Sequence, residues 1–389
     1  EAADGPALLI TFPPVEMTAT PEAAIRLAGR IEPGREARVN GEPVEVYPGG
    51  SFVALVPLAG GENTITVSVL GRRGETVYPL AIRRKAAGPG KAPRREDFPR
   101  PLAGRVADPV PVGNISFDAE KSRAWFSLAS PVPARVDYLS PEELDVVFHN
   151  AVSAAETIDL GDWKGICLPV PSGDGTARFR LRGGLDCHRW SLEYLPGGCR
   201  LSWRGRPRRG EGPVCLDPGH GGEQRGAVSP SGVAEKDANL ALARAVAAEL
   251  EKAGVETILT RDGDQTLSLN ERIEIARRRG AGLFLSLHYN AGGSGRDPRA
   301  GSGYTVFYYH PPGRELAGDI HRALKAAGRE GSGVRRRSLA VIRPTDLVTA
   351  LLETAFLSHP EDEAKILDPA VRRQTARAIA EGVTGYLNR

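Results

Sequence analysis

The sequence predicts a multidomain chain: two N-terminal β-rich modules followed by a C-terminal α/β domain with a mostly parallel sheet flanked by helices. Three observations predict it. A length of 389 residues suits two to three domains. Up to about residue 206, polar and apolar residues alternate between recurrent Gly/Pro turns, the pattern of half-buried strands. From Val214 onward, short apolar strands alternate with segments of helical period, which is the α/β signature. Near-continuous apolar strands argue further for a sheet covered on both faces.

Composition narrows the function classes. Hydrophobic residues make up 41% and charged residues 25%, ordinary globular values. No apolar run approaches the roughly 20 residues that span a bilayer. A net charge of +3 is too small for a chain of this size to suggest a nucleic-acid partner. It suits a solvated surface, or loose attraction to an anionic polymer. The chain begins at Glu1 and its one methionine is Met17, so a removed leader is expected. The cysteines are Cys167, Cys187, Cys199 and Cys215, with no Cys-x-x-Cys pair, which argues against a thiolate zinc site. Two of the first three could bridge in an oxidising compartment. Cys215 lies in an apolar strand and reads as a buried thiol.

Residues 1–84 read as an all-β sandwich module. Asn40-Gly41 is a tight-hairpin signal, and Thr64 to Val69 alternate with the period of a half-buried strand. Residues 85–104, rich in Pro, Gly and Lys/Arg, read as a semi-extended linker. Residues 105–206 read as β again, with strands at Arg123–Leu128, Leu144–Phe148, Ala177–Leu181, Trp190–Leu195 and Arg200–Trp203. Pro196-Gly197-Gly198 is the turn between the last two. Trp125, Trp190 and Trp203 suit core packing better than sugar stacking. Residues 207–212 lie in a second basic linker, and residues 213–389 form the α/β domain. There the strands fall at Val214–Leu216, Val255–Leu259, Leu283–Leu287, Tyr304–Tyr309, Leu339–Ile342 and Ala350–Leu352. The helices fall at Asn239–Ala253, Leu269–Arg279, Arg314–Ala327 and Ala370–Tyr386.

Chemistry gathers at the strand ends of this domain. Asp217-Pro218-Gly219-His220-Gly221-Gly222 puts a histidine between glycines just past a strand, where open α/β sheets bind ligands. His288-Tyr289-Asn290 follows a second strand, and Glu353 follows a third. Glu235 stands just before a helix that begins near Asp237. The glycine-rich run lacks the order of a dinucleotide loop or a P-loop. One histidine at a strand end, or one glutamate serving a helix dipole, would be structural. All four on one sheet edge suit a metal hydrolase, because two imidazoles and one carboxylate hold zinc and leave a position open. Ferrous iron takes a similar set. The spacing is not His-Glu-x-x-His, which excludes the thermolysin type.

Six motifs stand in order: Asp217–Gly222; Glu235-Lys236; Leu259-Thr260-Arg261; Glu271-Arg272; Ser286 to Ala291; and Leu352 to Ser358. In this combination residues 213–387 resemble the zinc-dependent N-acetylmuramoyl-L-alanine amidases, the family often called Amidase_3. The resemblance implies a six-stranded sheet, one zinc ion held by His220, Glu235 and His288, and Glu353 as the catalytic carboxylate. It implies hydrolysis of the amide between N-acetylmuramic acid and L-alanine of the stem peptide. Peptidoglycan would be the partner, and the location extracytoplasmic: periplasmic, cell wall or secreted. Asn290, Arg261 and Arg272 are candidates for substrate contact or for supporting the ligands; Asn290 reads equally as a turn residue, and the two arginines as partners of acidic groups behind the site or as surface salt bridges. Thr354-Ala355-Phe356 and His359 depart from the family's usual residues, and His359 is expected at the surface near the rim.

Some relatives carry a plug helix after the second histidine, but Gly292–Ser302 is too short and too rich in Gly and Pro to form one. The first module resembles immunoglobulin-like modules of bacterial surface enzymes. The second loosely resembles the AMIN modules that target amidases to the wall. The rival readings are another zinc peptidase acting on wall peptides, and a non-catalytic wall-binding scaffold.

Overall fold

The computed structural model describes residues 8–14, 17–71, 74–85, 108–155, 157–172, 175–293 and 295–389. The linker expected at residues 85–104 lies, apart from Lys85, outside them. Among the described residues no helix is long and apolar enough to cross a membrane.

The first module is two sheets around one core. One sheet joins Leu8–Phe12, Ala24–Ile31 and Ser51–Pro57, and the other has five strands centred on the long hairpin Gly61–Gly71 and Gly74–Arg84. The alternation read at Thr64 to Val69 is realised: Ile65, Val67 and Val69 enter the core with Leu27 and Phe52. Asn40 and Gly41 both take positive φ, 51° and 85°, as a two-residue hairpin turn requires.

The second module is also two sheets around one core, one of six strands and one of four. Phe126, Phe148 and Phe179 fill its centre, and Trp163, Trp190 and Trp203 close it. Trp190 and Trp203 are therefore packing residues, as expected, while Trp125 is half-buried. All four cysteines are free and buried, so no bridge forms among them, and burial pushes the Cys167 and Cys187 thiols up to about 12.

In the C-terminal domain the strands are β1 (Val214–Pro218), β2 (Thr257–Leu259), β3 (Leu283–Asn290), β4 (Tyr304–Tyr308), β5 (Gly331–Arg336) and β6 (Val348–Phe356). The helices are α1 (Glu235–Lys252), α2 (Leu269–Arg278), α3 (Pro311–Ala326), α4 (Pro360–Leu367) and α5 (Pro369–Leu387). The sheet order is β2-β1-β3-β6-β4-β5. Four neighbouring pairs are parallel and β4–β6 is antiparallel, so the sheet is mixed and mostly parallel. α1, α3 and α5 pack on one face, where Leu242, Val246 and Leu250 of α1 are fully buried. Each such side chain contributes about 1.5–3 kcal/mol relative to leaving it in water. α2 and the turn at Ala340–Ile342 cover the other face through Phe284, Ile273 and Ile342.

Four sequence expectations change. Leu339–Ile342 is not a strand: Ala340–Ile342 form a 3-10 turn that buries Val341 and Ile342 under the sheet. The fifth strand is instead β5, whose mostly exposed edge position leaves no apolar period to read. α1 begins at Glu235 itself rather than near Asp237. β3 and β6 run on to Asn290 and Phe356, so His288 and Glu353 sit inside the strands as direct cross-strand partners. An additional helix, α4, follows β6.

Both modules pack on this domain. Thr11 donates to the Pro230 carbonyl at 2.9 Å and Arg26 to the Gly292 carbonyl at 3.2 Å, so the first module leans on two loops beside the C-terminal strand ends. The second module docks elsewhere, the Trp190 N–H donating to the Thr345 carbonyl at 2.8 Å. Residues 207–212 are no loose tether. Arg209 bonds the carbonyls of Ala253 and Gly254 at the end of α1.

Candidate active site

The loop after β1 is shaped around His220. That residue has φ 61° in the left-handed region, which costs a non-glycine residue and persists only where surroundings hold it. Two buried arginines do so by taking three successive carbonyls. Arg261 donates to the carbonyls of Pro218 and Gly219, each at 3.0 Å. Arg272 donates to those of Pro218 at 2.9 Å and His220 at 2.7 Å. Arg272 also pairs with Asp217 at 2.7 Å, both side chains almost wholly buried. Asp217 accepts from Thr260 and Ser286 besides, each at 2.7 Å, so the buried charge is fully hydrogen-bonded. A capping box, Ser268 with Glu271, fixes the start of α2 and thereby aims Arg272 inward.

Glu235 is the first residue of α1, yet its carboxylate does not cap that helix. Oε2 accepts from the Ala227 N–H at 2.9 Å and lies 3.2 Å from His220 Nε2. Oε1 accepts from the Tyr289 N–H at 3.2 Å and lies 3.0 Å from His288 Nδ1. The two imidazoles meet edge to face with centroids 5.0 Å apart. His220, Glu235 and His288 each offer a ligand atom, all within 4.8 Å of one another. Burial pushes the Glu235 carboxyl up, but the hydrogen bonds from His220 and His288 outweigh it and hold the group well below the usual carboxylate range. Two glycines make the convergence possible. A Cβ on Gly219 would lie 2.1 Å from the His288 ring, and one on Gly226 would lie 2.5 Å from Glu235 Oε2.

Glu353 stands opposite His288 in register. Its Oε2 is buried and has no hydrogen-bond partner among the described residues. Burial, with the Glu235 charge adding to it, pushes this carboxyl up to about 7 against the pull of both histidines and Arg337. The same sheet edge thus holds one carboxylate kept ionised and one that exchanges a proton near neutrality, the division an acid–base site needs.

The sequence-derived residues fare differently. His220, Glu235, His288 and Glu353 come together. Arg261 and Arg272 are buried braces of the His220 loop, not surface ion pairs and not exposed to a substrate. Asn290 ends β3, and its Oδ1 accepts from the N–H of its neighbour Ala291 at 2.8 Å. His359 is not at the surface: it is buried and caps α4, its Nδ1 accepting from the Glu361 N–H. Pro360 at the first helical position makes that capping role intelligible. Between Asn290 and β4, the described residues hold one 3-10 turn, Pro298–Ala300. Sequence reasoning passed over Asp217 as a hub and Arg337 altogether. An acid just before the glycine-flanked histidine, with two arginines at later element ends, was the available signal for the hub.

Residues 214–385 match the family described as N-acetylmuramoyl-L-alanine amidase. N-acetylmuramoyl-L-alanine amidase LytC of Bacillus subtilis is 33% identical over 174 residues, 44% of this chain and 35% of that relative. N-acetylmuramoyl-L-alanine amidase AmiA of Escherichia coli is 30% identical over 223 residues, 45% of this chain and 76% of that one. A solved N-acetylmuramoyl-L-alanine amidase of Nostoc punctiforme shares 35% identity, covering 46% of this chain and 99% of that one, with a TM-score of 0.44.

Proposed function

Since this chain belongs to the N-acetylmuramoyl-L-alanine amidase family, we propose that it hydrolyses the amide joining the lactyl group of N-acetylmuramic acid to L-alanine of the stem peptide. The observation that carries this reading is the convergence of His220, Glu235 and His288 beside an unpartnered Glu353. Two imidazoles and a carboxylate are a zinc-type donor set, and the carboxylate is already held ionised toward the two ring nitrogens. These three residues would hold the metal. Zinc bound there would supply Lewis acidity, polarising a carbonyl and acidifying water.

The chain's own residues do the rest. Glu353 takes a proton from the attacking water and delivers it to the amide nitrogen as the bond breaks, a role worth about 10²–10⁴-fold. A carboxyl pushed up to about 7 serves both halves of that exchange near neutral pH. Asp217, Arg261 and Arg272 hold the His220 backbone so that its imidazole needs no reorganisation. Peptidoglycan lies outside the cytoplasmic membrane, so the chain works there. The two β modules packed on the catalytic domain are read as wall-targeting or positioning elements, the first immunoglobulin-like and the second AMIN-like.

Digestion of purified peptidoglycan with and without a chelator, followed by mass spectrometry, tests this reading. Whole stem peptides with a new L-alanine amino terminus, absent after chelation, are expected. Release of single C-terminal residues would assign the site to a carboxypeptidase instead. Absence of any product, with no bound metal, would indicate a wall-binding scaffold.

A further inference from the structure

The chain ends its open edge strand, β5, with Arg335 and Arg336, and Arg337 follows directly. The pleat sorts the three. Arg336 is engaged: Nε donates to the Tyr309 carbonyl at 3.0 Å and the guanidinium lies over the Tyr309 ring. Arg335 stands opposite Phe307 of β4, Phe307 opposite Leu351 of β6, and Thr305 opposite Glu353. Residues paired across a sheet share a face, so this row runs from the edge strand to the catalytic carboxylate on one side of the sheet. Arg337 returns to that side. Its backbone N–H donates to the Tyr308 carbonyl at 2.9 Å and its guanidinium lies 5.6 Å from the Phe307 ring centroid. It is exposed and forms no ion pair among the described residues, and its charge is felt at Glu353.

Substrate chemistry says what such a group would meet. This step rests on the amidase reading. In an N-acetylmuramoyl peptide the lactyl carboxyl is consumed in the scissile amide, and the sugars otherwise offer hydroxyl and acetamido groups. Free carboxylates therefore occur on the peptide side alone. A planar guanidinium matches a carboxylate with two parallel hydrogen bonds. We propose that Arg337, seated on Phe307, binds a free carboxylate of the stem peptide and so fixes the leaving peptide over β4 and β5.

The test uses the full chain and two soluble N-acetylmuramoyl peptides that are identical except that the carboxylates of one are carboxamides. The unsubstituted chain should show a KM about five- to tenfold lower for the acid form, the range of one charge-assisted contact at a solvent-exposed rim. Arg337→Ala should raise that KM by the same factor with kcat within about twofold, and bring the two substrates level. Arg337→Lys should recover part of the loss. Dissociation constants on a Glu353→Gln background should shift in parallel, a readout that needs no turnover. An equal effect on both substrates, or a fall in kcat at constant KM, would overturn the assignment. If the unsubstituted chain cuts neither substrate the amidase reading fails. The binding arm then still decides whether Arg337 selects the carboxylate.

Discussion

On the β1 side of the site, Asp217, Arg261 and Arg272 are buried and engaged, and together they fix the backbone on which His220 is strained into place. On the β6 side, Glu353 has a buried oxygen with no partner, and Arg337 stands exposed over an aromatic ring. Under the proposed function, the contrast separates two demands that one sheet edge has to meet. Ligands must be held still, and a satisfied network of buried charge does that. A proton carrier must be free to change charge, and a satisfied network would prevent it. Leaving Glu353 unpartnered costs stability and supplies reactivity, the trade that strained functional sites show.

The contrast can be broken most severely at Arg272. Arg272→Leu leaves the Asp217 carboxylate buried without its cation, which should cost about 3–5 kcal/mol. Chemical denaturation of the metal-free chain measures it. A loss below about 1 kcal/mol would mean the Asp217 hub is not what holds the loop. Next comes Gly219→Ala. Its Cβ would collide with the His288 ring, so metal affinity should fall by at least the 10–100-fold typical of disturbed ligand support. Titration against a competing chelator reads this, and unchanged affinity would show that His288 can move aside.

The smallest effect sharpens the other half. The Glu353 carboxyl is raised in the fold to about 7 from its usual 4.5, so its ionisation opposes folding. Stability from this group is intact below pH 4.5 and is lost as the pH rises toward 7. Glu353→Gln should therefore stabilise the metal-free chain at pH 8 by about 1–3 kcal/mol relative to pH 4. A variant with the same pH dependence as the parent would show that Glu353 is not strained by burial.

Much of this edge was legible in the sequence, for a physical reason. Histidines flanked by glycine or ending apolar strands announce themselves, because such positions are used where a side chain must project beyond a sheet. The gathering of His220, Glu235, His288 and Glu353 at one sheet edge was readable from their places beside apolar strands and at a helix start. What escaped depended on partners far along the chain. Arg261 and Arg272 read equally as partners of acidic groups behind the site and as surface salt bridges, because nothing local reveals that Asp217 will be buried against Arg272. His359 read as exposed because its capping role exists only once Pro360 starts a helix. β5 escaped because an edge strand of Gly, Ser and Arg carries no apolar period, while the apolar Leu339–Ile342 mimicked a strand and folds as a buried turn.

One paired measurement bears most directly on the division of labour: metal content and peptidoglycan product for Glu353→Gln beside Glu235→Gln. Glu353→Gln should retain about one zinc per chain and lose at least 10²-fold in release of L-alanine-terminated peptides, within the range expected of a missing general base. Glu235→Gln should lose metal and activity together. Glu353→Gln releasing stem peptides at close to the parent rate, or Glu235→Gln binding zinc normally, would contradict the account.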